Sequence, residues 1–160
     1  MIALIQRVLE ASVRVEGRCV GEIGQGLLAL IGIVERDDAS SADRLLHRLL
    51  NYRVFADEKG RMNHSLREVS GGLLLVPQFT LVADTRRGNR PGFSTAAPPG
   101  HAAALFKHLV ERARSQHPKV ASGPFGAHMQ VGLINDGPVT FWLQSGADDA
   151  ERGAVDAPGA

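Results

Sequence analysis

Asn135-Asp136-Gly137-Pro138-Val139-Thr140 stands between two runs that alternate like strands, His128 to Ile134 and Val139 to Gln144. Asn-Asp-Gly is turn chemistry, so the first reading is a tight β-hairpin. Pro138 adds a constraint. It removes a backbone donor where the second strand would begin, which suits only a first strand position or an edge. An X-Pro bond is also the one peptide bond that adopts cis at modest cost, roughly 0.5–1 kcal/mol. Gly137 has no Cβ, so the backbone there can approach another group closely. The stretch is therefore either a hairpin tip with a stiff exit, or a rigid Gly-Pro tip that presents carbonyl groups to something outside its own sheet.

Moving outward, Gly123-Pro124-Phe125-Gly126-Ala127 is a second Gly-Pro turn, and it delivers Phe125 and then Met129. Before it, Pro98-Pro99-Gly100 leads into a helix whose buried face is Leu105, Phe106, Leu109, Val110 and Ala113, closed by Pro118. Residues 84–91 form a flexible basic loop with Arg86, Arg87 and Arg90, a composition suited to phosphate. Pro77-Gln78-Phe79-Thr80-Leu81 reads as strand, with Gln78 and Thr80 on one face. Leu73 to Val76 and Leu27 to Val34 are apolar runs, expected as strands buried on both faces. A first helix is expected from Ser40 as cap with Asp43 three residues on, its apolar face being Leu45, Leu46, Leu49 and Leu50. Tyr52 to Phe55 is read as a short strand. At the N-terminus, Ile2 to Leu9 and Ser12 to Val15 are strands, Glu16-Gly17-Arg18 is a turn, and Cys19 to Ile23 a further strand. Arg7 within the first strand is expected to point outward, because arginine is rarely buried unpaired.

The pattern is strand-rich with two amphipathic helices. The expected class is α/β: antiparallel-rich sheets packed as a partly closed barrel, with the two helices laid on the outside. A chain of 160 residues suits one domain. That domain is expected at residues 1–145, because the last fifteen residues are Gly, Ala, Asp and Pro without periodicity and read as a disordered tail.

Composition excludes several classes of function. The content is 44% hydrophobic and 22% charged, which is ordinary for a globular protein. The tail carries Asp148, Asp149, Glu151 and Asp156 against Arg152, so the body is mildly basic; that permits contact with a phosphate backbone without arguing for it. Cys19 is the single cysteine, which excludes a disulfide framework and a CxxC metal site and suits a reducing cytosol. No apolar run approaches the roughly 20 residues of a membrane helix, and the N-terminus lacks the features of a signal peptide. A cytoplasmic location is expected. The six histidines are scattered without carboxylates at ligand spacing, so neither a metal nor another cofactor is expected. There is no phosphate-binding glycine loop and no GxSxG elbow. The acidic pairs Asp37-Asp38 and Asp57-Glu58 sit in turns. Any catalysis must lean on backbone groups, on Gln78 or Thr80, or on the substrate.

Two motifs carry a resemblance. Pro77-Gln78-Phe79-Thr80-Leu81 resembles the Ser-Gln-Phe-Thr-Leu motif of the D-aminoacyl-tRNA deacylases, and Asn135-Asp136-Gly137-Pro138-Val139-Thr140 matches that family's Asn-X-Gly-Pro-Val-Thr motif. Gln6-Arg7-Val8, Gly88-Asn89-Arg90-Pro91 and Gly123-Pro124-Phe125-Gly126-Ala127 are similar to further family segments, in register from Met1 to about Ser145. Pro77 stands where the family usually has serine, so this chain offers no side-chain hydroxyl at this position. The resemblance implies hydrolysis of the ester that joins a D-amino acid, or glycine, to the terminal adenosine of a tRNA. It implies a homodimer in which the Gly137-Pro138 tip of each subunit, with a cis bond, reaches into the other's pocket. Two carbonyl oxygens held side by side would meet an L side chain and leave room for a D one, which is discrimination by clash. It implies that main-chain N–H groups around Phe79 and Thr80 stabilise the oxyanion, with Gln78 beside them and the substrate's 2′-hydroxyl assisting. Arg7 would brace the tip, and Phe125 and Met129 would line the adenosine pocket.

Three readings stay open at this level. The first is a homodimeric deacylase whose partner is aminoacyl-tRNA, with Thr80 as nucleophile being its rival mechanism; no base is evident in the sequence to activate that hydroxyl. The second is a non-catalytic RNA-binding module of the same fold. The third is a small-molecule esterase that uses Thr80.

Overall fold

The computed structural model describes residues 1–145; the tail expected to be disordered, 146–160, lies outside the described residues. The spine is β1 (Ile2–Val15). On one edge it pairs antiparallel with β3 (Gly26–Gly32) through Ile2 to Val8, then with β2 (Arg18–Ile23) through Ala11 to Val15. The β1–β2 turn has Glu16 at φ 50° and Gly17 at φ 78°, the left-handed pair a tight primed turn requires. On its other edge β1 pairs antiparallel with β8 (Gln130–Gln144) along most of its length.

Beyond β3 the sheet turns parallel. β6 (Gly72–Pro77) pairs parallel with β3, and β7 (Val120–Ser122) pairs parallel with β6. A parallel step needs a crossover, and each crossover here carries a helix: α1 (Ala39–Asn51) before β6 and α2 (Pro99–Gln116) before β7. A two-stranded ribbon of β4 (Phe55–Ala56) and β5 (Met62–His64) lies within the first crossover. The strand expected from Tyr52 to Phe55 shrinks accordingly, because Tyr52 is the C-cap of α1, its N–H donating to Arg48 O.

The sheet curls until its far strands nearly meet: a Cβ on Gly21 of β2 would lie 3.1 Å from Ser122 O in β7. This is the partly closed barrel. Strand alternation divides the core in two. Under the helices, Ala3, Ile5, Leu27, Ala29, Ile31, Leu73 and Leu75 pack against Leu45, Leu46, Leu49, Leu50, Leu105, Phe106 and Leu109. On the opposite face, Val8, Val13, Leu28, Leu74 and Val76 form a second cluster with Met129 and Val131. β3 and β6 supply both clusters, so the two apolar runs are strands buried on both faces, as their composition predicts. Each fully buried leucine contributes about 2 kcal/mol of burial free energy.

Two local expectations are corrected. α1 is capped by Asp38, whose carboxylate accepts from Ser41 N at 2.8 Å while Ser41 Oγ bonds back to Asp38 N–H, so the box is Asp38/Ser41 and not Ser40/Asp43. The larger correction concerns residues 135–140. Both flanking runs pair antiparallel with β1, so both point the same way, and no hairpin joins them. Asn135 faces Val8 and Thr140 faces Gln6, which leaves Asp136, Gly137, Pro138 and Val139 opposite Arg7 alone. The stretch is a wide bulge in one continuous strand.

Candidate active site

β6 stops at Pro77, which has no donor of its own; its pairing with Ile31 of β3 is held by Gln78 N–H donating to Ile31 O at 2.7 Å. The chain then winds into a 3₁₀ turn, Phe79–Val82. This corrects the expected strand through Gln78 and Thr80. The turn is held down from below: Leu81 and Val82 pack over Gly32, where a Cβ would lie 3.0 Å from each. Gln78 and Thr80 still meet, because Gln78 Nε2 donates to Thr80 Oγ1. The first bond of the turn runs from Leu81 N–H to Gln78 O, so the Phe79 and Thr80 N–H groups precede it and have no acceptor within the helix. Among the described residues no carboxylate or imidazole hydrogen-bonds to Thr80.

Beside this turn lies a cavity of about 560 Å³. β6 and the turn give Val76, Gln78 and Phe79; the start of α2 gives Pro99 and Ala102; the segment before β8 gives Phe125 and Met129. Gly126, at φ 77°, turns the chain so that Phe125 and Met129 reach the same cavity. Four residues singled out from the sequence, Gln78, Phe79, Phe125 and Met129, thus line one cavity, with Thr80 adjacent through Gln78. Sequence reasoning missed Pro99 and Ala102. The Pro-Pro-Gly entry to α2 was visible, but nothing in it announces that the helix starts at a cavity. A larger hollow of about 820 Å³ lies across the 3₁₀ turn, lined by Val34, Leu81, Ser94 and Trp142 among others. None of the residues given a catalytic or binding role from the sequence lines it, so the smaller, more apolar cavity is the candidate site.

Arg7, Gly137 and Pro138 lie elsewhere, on the β1–β8 bulge, and none of them lines the cavity of its own chain. Arg7 does not point outward: its side chain is 15% exposed. Its Nε donates to Asp136 O at 2.9 Å and lies 3.0 Å from the Asp136 carboxylate, and its Nη1 donates to Val54 O at 2.6 Å. The expectation failed because Asp136 in the bulge and Val54 after α1 supply acceptors that no local pattern announces. Asn135 closes the loop of chain, Nδ2 donating to Arg7 O at 3.0 Å and to Val139 O at 3.1 Å. Its side chain fills the space where a Cβ on Gly137 would lie, 2.2 Å from Asn135 Oδ1. The Gly137–Pro138 bond is cis, and both residues are exposed. Asp136, Arg7's carboxylate partner, was not singled out from the sequence.

Among the described residues, no group of three or more His, Cys, Asp or Glu could hold a metal ion, and no helix is long and apolar enough to cross a membrane. The arrangement offers main-chain donors beside an amide–hydroxyl pair at the edge of an apolar cavity. That suits stabilisation of a developing oxyanion more than acid–base chemistry by side chains.

Comparison with known proteins points the same way. The family model described as D-Tyr-tRNA(Tyr) deacylase matches residues 4–144. A protein of Stutzerimonas stutzeri (strain A1501) named D-aminoacyl-tRNA deacylase is 63% identical over 145 residues, covering 91% of this chain and all of that one. One of the same name from Ectopseudomonas mendocina (strain ymp) is 65% identical over 144 residues, covering 90% of this chain and 99% of that one. Among solved structures, the c-Myc DNA Unwinding Element Binding Protein superposes with a TM-score of 0.87 at 38% identity, over 92% of this chain and all of that one. A probable eukaryotic D-amino acid tRNA deacylase, at 17% identity, has a TM-score of 0.77 over 89% of this chain and 97% of that one, a likeness of fold.

Proposed function

The chain belongs to the D-Tyr-tRNA(Tyr) deacylase family, and we propose from this that it hydrolyses the ester of D-aminoacyl-tRNA, releasing the D-amino acid and the tRNA. The observation that carries the activity is identity above three-fifths along the whole length of relatives so named. The enzyme is a hydrolase of carboxylic esters, and its partner is aminoacyl-tRNA. A cytoplasmic setting belongs to the same proposal.

In the proposed mechanism the terminal adenosine enters the 560 Å³ cavity against Phe125 and Met129. The ester carbonyl then lies at the 3₁₀ turn. Attack by water gives a tetrahedral oxyanion, and the Phe79 and Thr80 N–H groups, which lack an acceptor within the helix, stabilise it. Gln78 holds Thr80 and orders this edge. The 2′-hydroxyl of the substrate's ribose assists the proton transfer. Thr80 as nucleophile is disfavoured, because no base among the described residues hydrogen-bonds to it. Pro77, in place of the family serine, leaves a hydroxyl at that position out of the chemistry.

Chirality is judged, in this proposal, by a second copy of the chain. The Gly137-Pro138 tip stands away from the cavity of its own chain, so to act on the substrate it must meet a neighbour's. β8 is an edge strand with Leu133, Ile134 and Trp142 at 37%, 50% and 51% exposure, an apolar edge that invites pairing with a partner. A symmetric homodimer would offer each tip to the other's cavity. Carbonyl oxygens of the tip would then exclude L side chains, while glycine, with none, would also enter.

One assay separates the readings. The protein is incubated with D-tyrosyl-tRNA, L-tyrosyl-tRNA and a free D-tyrosyl ester. Cleavage of the first alone is the expected result. Binding of tRNA without cleavage would point to an RNA-binding module, and turnover of the free ester to a small-molecule esterase. Thr80→Ala is expected to keep turnover within about tenfold of wild type, below the roughly 100-fold that loss of a general catalyst costs at least. Complete loss with tRNA binding intact would favour the threonine nucleophile.

A further inference from the structure

Phe79 lines the cavity, yet it is 61% exposed and belongs equally to the surface outside. There it meets Phe93, 39% exposed, with ring centroids 5.3 Å apart and planes tilted by 45°. Two exposed rings side by side present a continuous aromatic surface at the mouth of the site. Phe93 follows a basic loop that is pinned at its base: Asp84 and Gly92 exchange main-chain hydrogen bonds of 2.7 and 3.0 Å. Asp84 is the one acidic residue of this loop, and Arg86 grips its carboxylate at 2.8 Å through both Nε and Nη2. That pairing neutralises the loop's acid internally. Arg87 and Arg90 remain, both exposed, and among the described residues no hydrogen bond or ion pair engages either.

Aromatic faces flanked by unengaged guanidinium groups are how proteins hold single-stranded nucleic acid: bases stack on the rings and phosphates meet the charges. We propose that Phe79 and Phe93, with Arg87 and Arg90, form a second subsite for the nucleotide that precedes the terminal adenosine. Its base stacks on the aromatic pair, and the phosphates on either side of it face the two arginines. The inference rests on the reading of the cavity as the adenosine site, and Phe79, shared by both, makes the two subsites continuous. The subsite gives the enzyme a hold on the single-stranded end of the tRNA that does not depend on which amino acid is attached.

The test uses inhibition of D-tyrosyl-tRNA hydrolysis by adenosine and by the dinucleotide cytidylyl-(3′,5′)-adenosine. Wild-type enzyme is expected to bind the dinucleotide about tenfold more tightly than adenosine, the scale of one stacked base. Phe93→Leu keeps an apolar side chain and is expected to erase that ratio, while Phe93→Tyr keeps it. Replacing Arg87 and Arg90 together with alanine is expected to weaken the dinucleotide and flatten the salt dependence of its inhibition. Equal inhibition by the two ligands in wild type overturns the subsite, as does a ratio that survives Phe93→Leu. A Phe93→Leu variant that sediments at half the wild-type mass overturns it too, since the surface then belongs to a partner subunit. Failure of the wild type to hydrolyse D-tyrosyl-tRNA at all is a different result, and it removes the deacylase reading itself.

Discussion

The two sides of β1 meet opposite demands. On its helix-covered face, Ala3 and Ile5 pack into a layer of Leu45, Leu46, Leu49 and Leu50, where volume and apolarity are all that matters. On its β8 edge, beside Arg7, four residues crowd opposite one, and polar contacts made by single side chains keep the bulge in shape. The first region tolerates exchange of one apolar side chain for another of similar size. The second does not, because Arg7, Asn135 and Gly137 each meet a geometric requirement no other residue type satisfies. If the tip judges chirality as proposed, stability and discrimination are held in separate parts of one strand's environment, and substitutions can be chosen to move one without the other.

The largest effect is expected in the core. Leu49→Ala removes a side chain with no exposed surface and should destabilise by about 3 kcal/mol, lowering Tm by about 10 °C, as scanning calorimetry would record. At 25 °C its turnover of D-tyrosyl-tRNA should stay within about twofold of wild type, because the folded fraction is still near one. A loss of turnover far below the melting range would break the separation from the stability side.

Next comes Gly137→Ala. The added Cβ would overlap Asn135 Oδ1 and Val139 N, 2.2 and 2.4 Å away, so the bulge must shift. Displacement of a positioning element by about 1 Å costs about 100-fold, and the ratio of D- to L-tyrosyl-tRNA cleavage should fall by that order. Tm should change far less than for Leu49→Ala. The converse, a large fall in Tm with discrimination intact, would make the bulge a structural feature only.

The same contrast governs what could be read from the sequence. The core was legible because burial writes a period: the leucines of α1, the apolar face of α2, and the continuous runs of β3 and β6 all sit where their spacing put them. The bulge was not. Asn-Asp-Gly carries strong turn chemistry, and only pairing with β1, more than a hundred residues away, turns a hairpin signal into an interrupted strand. Arg7 failed for the same reason, its acceptors being Asp136 O and Val54 O, both remote in sequence. At Gln78–Leu81 a strand and a 3₁₀ turn present the same alternation of polar and apolar residues, and Pro77 was the one local sign that pairing ended. At α1, Ser40/Asp43 and Asp38/Ser41 are both plausible caps by composition. Asp38 takes the role with extended backbone, φ −133°, two residues earlier. The candidate site residues were singled out because two motifs and three shorter segments resembled a known family. The Arg7–Asp136 pair, which joins the bulge to β1, was recoverable only from the fold.

A smaller effect sharpens the account of the bulge. Arg7 reaches two acceptors with two different nitrogens, which lysine's single ammonium cannot reproduce. Arg7→Lys keeps the charge beside Asp136 and should lose one hydrogen bond, worth roughly 1 kcal/mol. Discrimination between D- and L-tyrosyl-tRNA should fall about fivefold, with KM for the D substrate little changed, in single-turnover and steady-state assays run side by side. An unchanged ratio would mean that Asn135 alone holds the tip.

The smallest effect belongs to the helix side and is read in pH. Asp38 accepts from Ser41 N and Ser41 Oγ, and these bonds hold its carboxyl below the ordinary value of 3.8. A carboxyl whose folded pKa is depressed adds stability above its unfolded pKa and loses it as pH falls through the folded value. The difference in urea midpoint between wild type and Asp38→Ala should therefore be constant from about pH 7 to pH 5 and shrink as pH drops below about 4. Asp38→Asn caps without titrating, so relative to Asp38→Ala it should show a difference that does not move with pH. D/L discrimination should be unaltered in both variants, because the cap touches α1 and not the bulge. A cap variant that lost discrimination in step with stability would show the helix face and the β8 edge of β1 to be one cooperative unit, and the separation drawn between them would not stand.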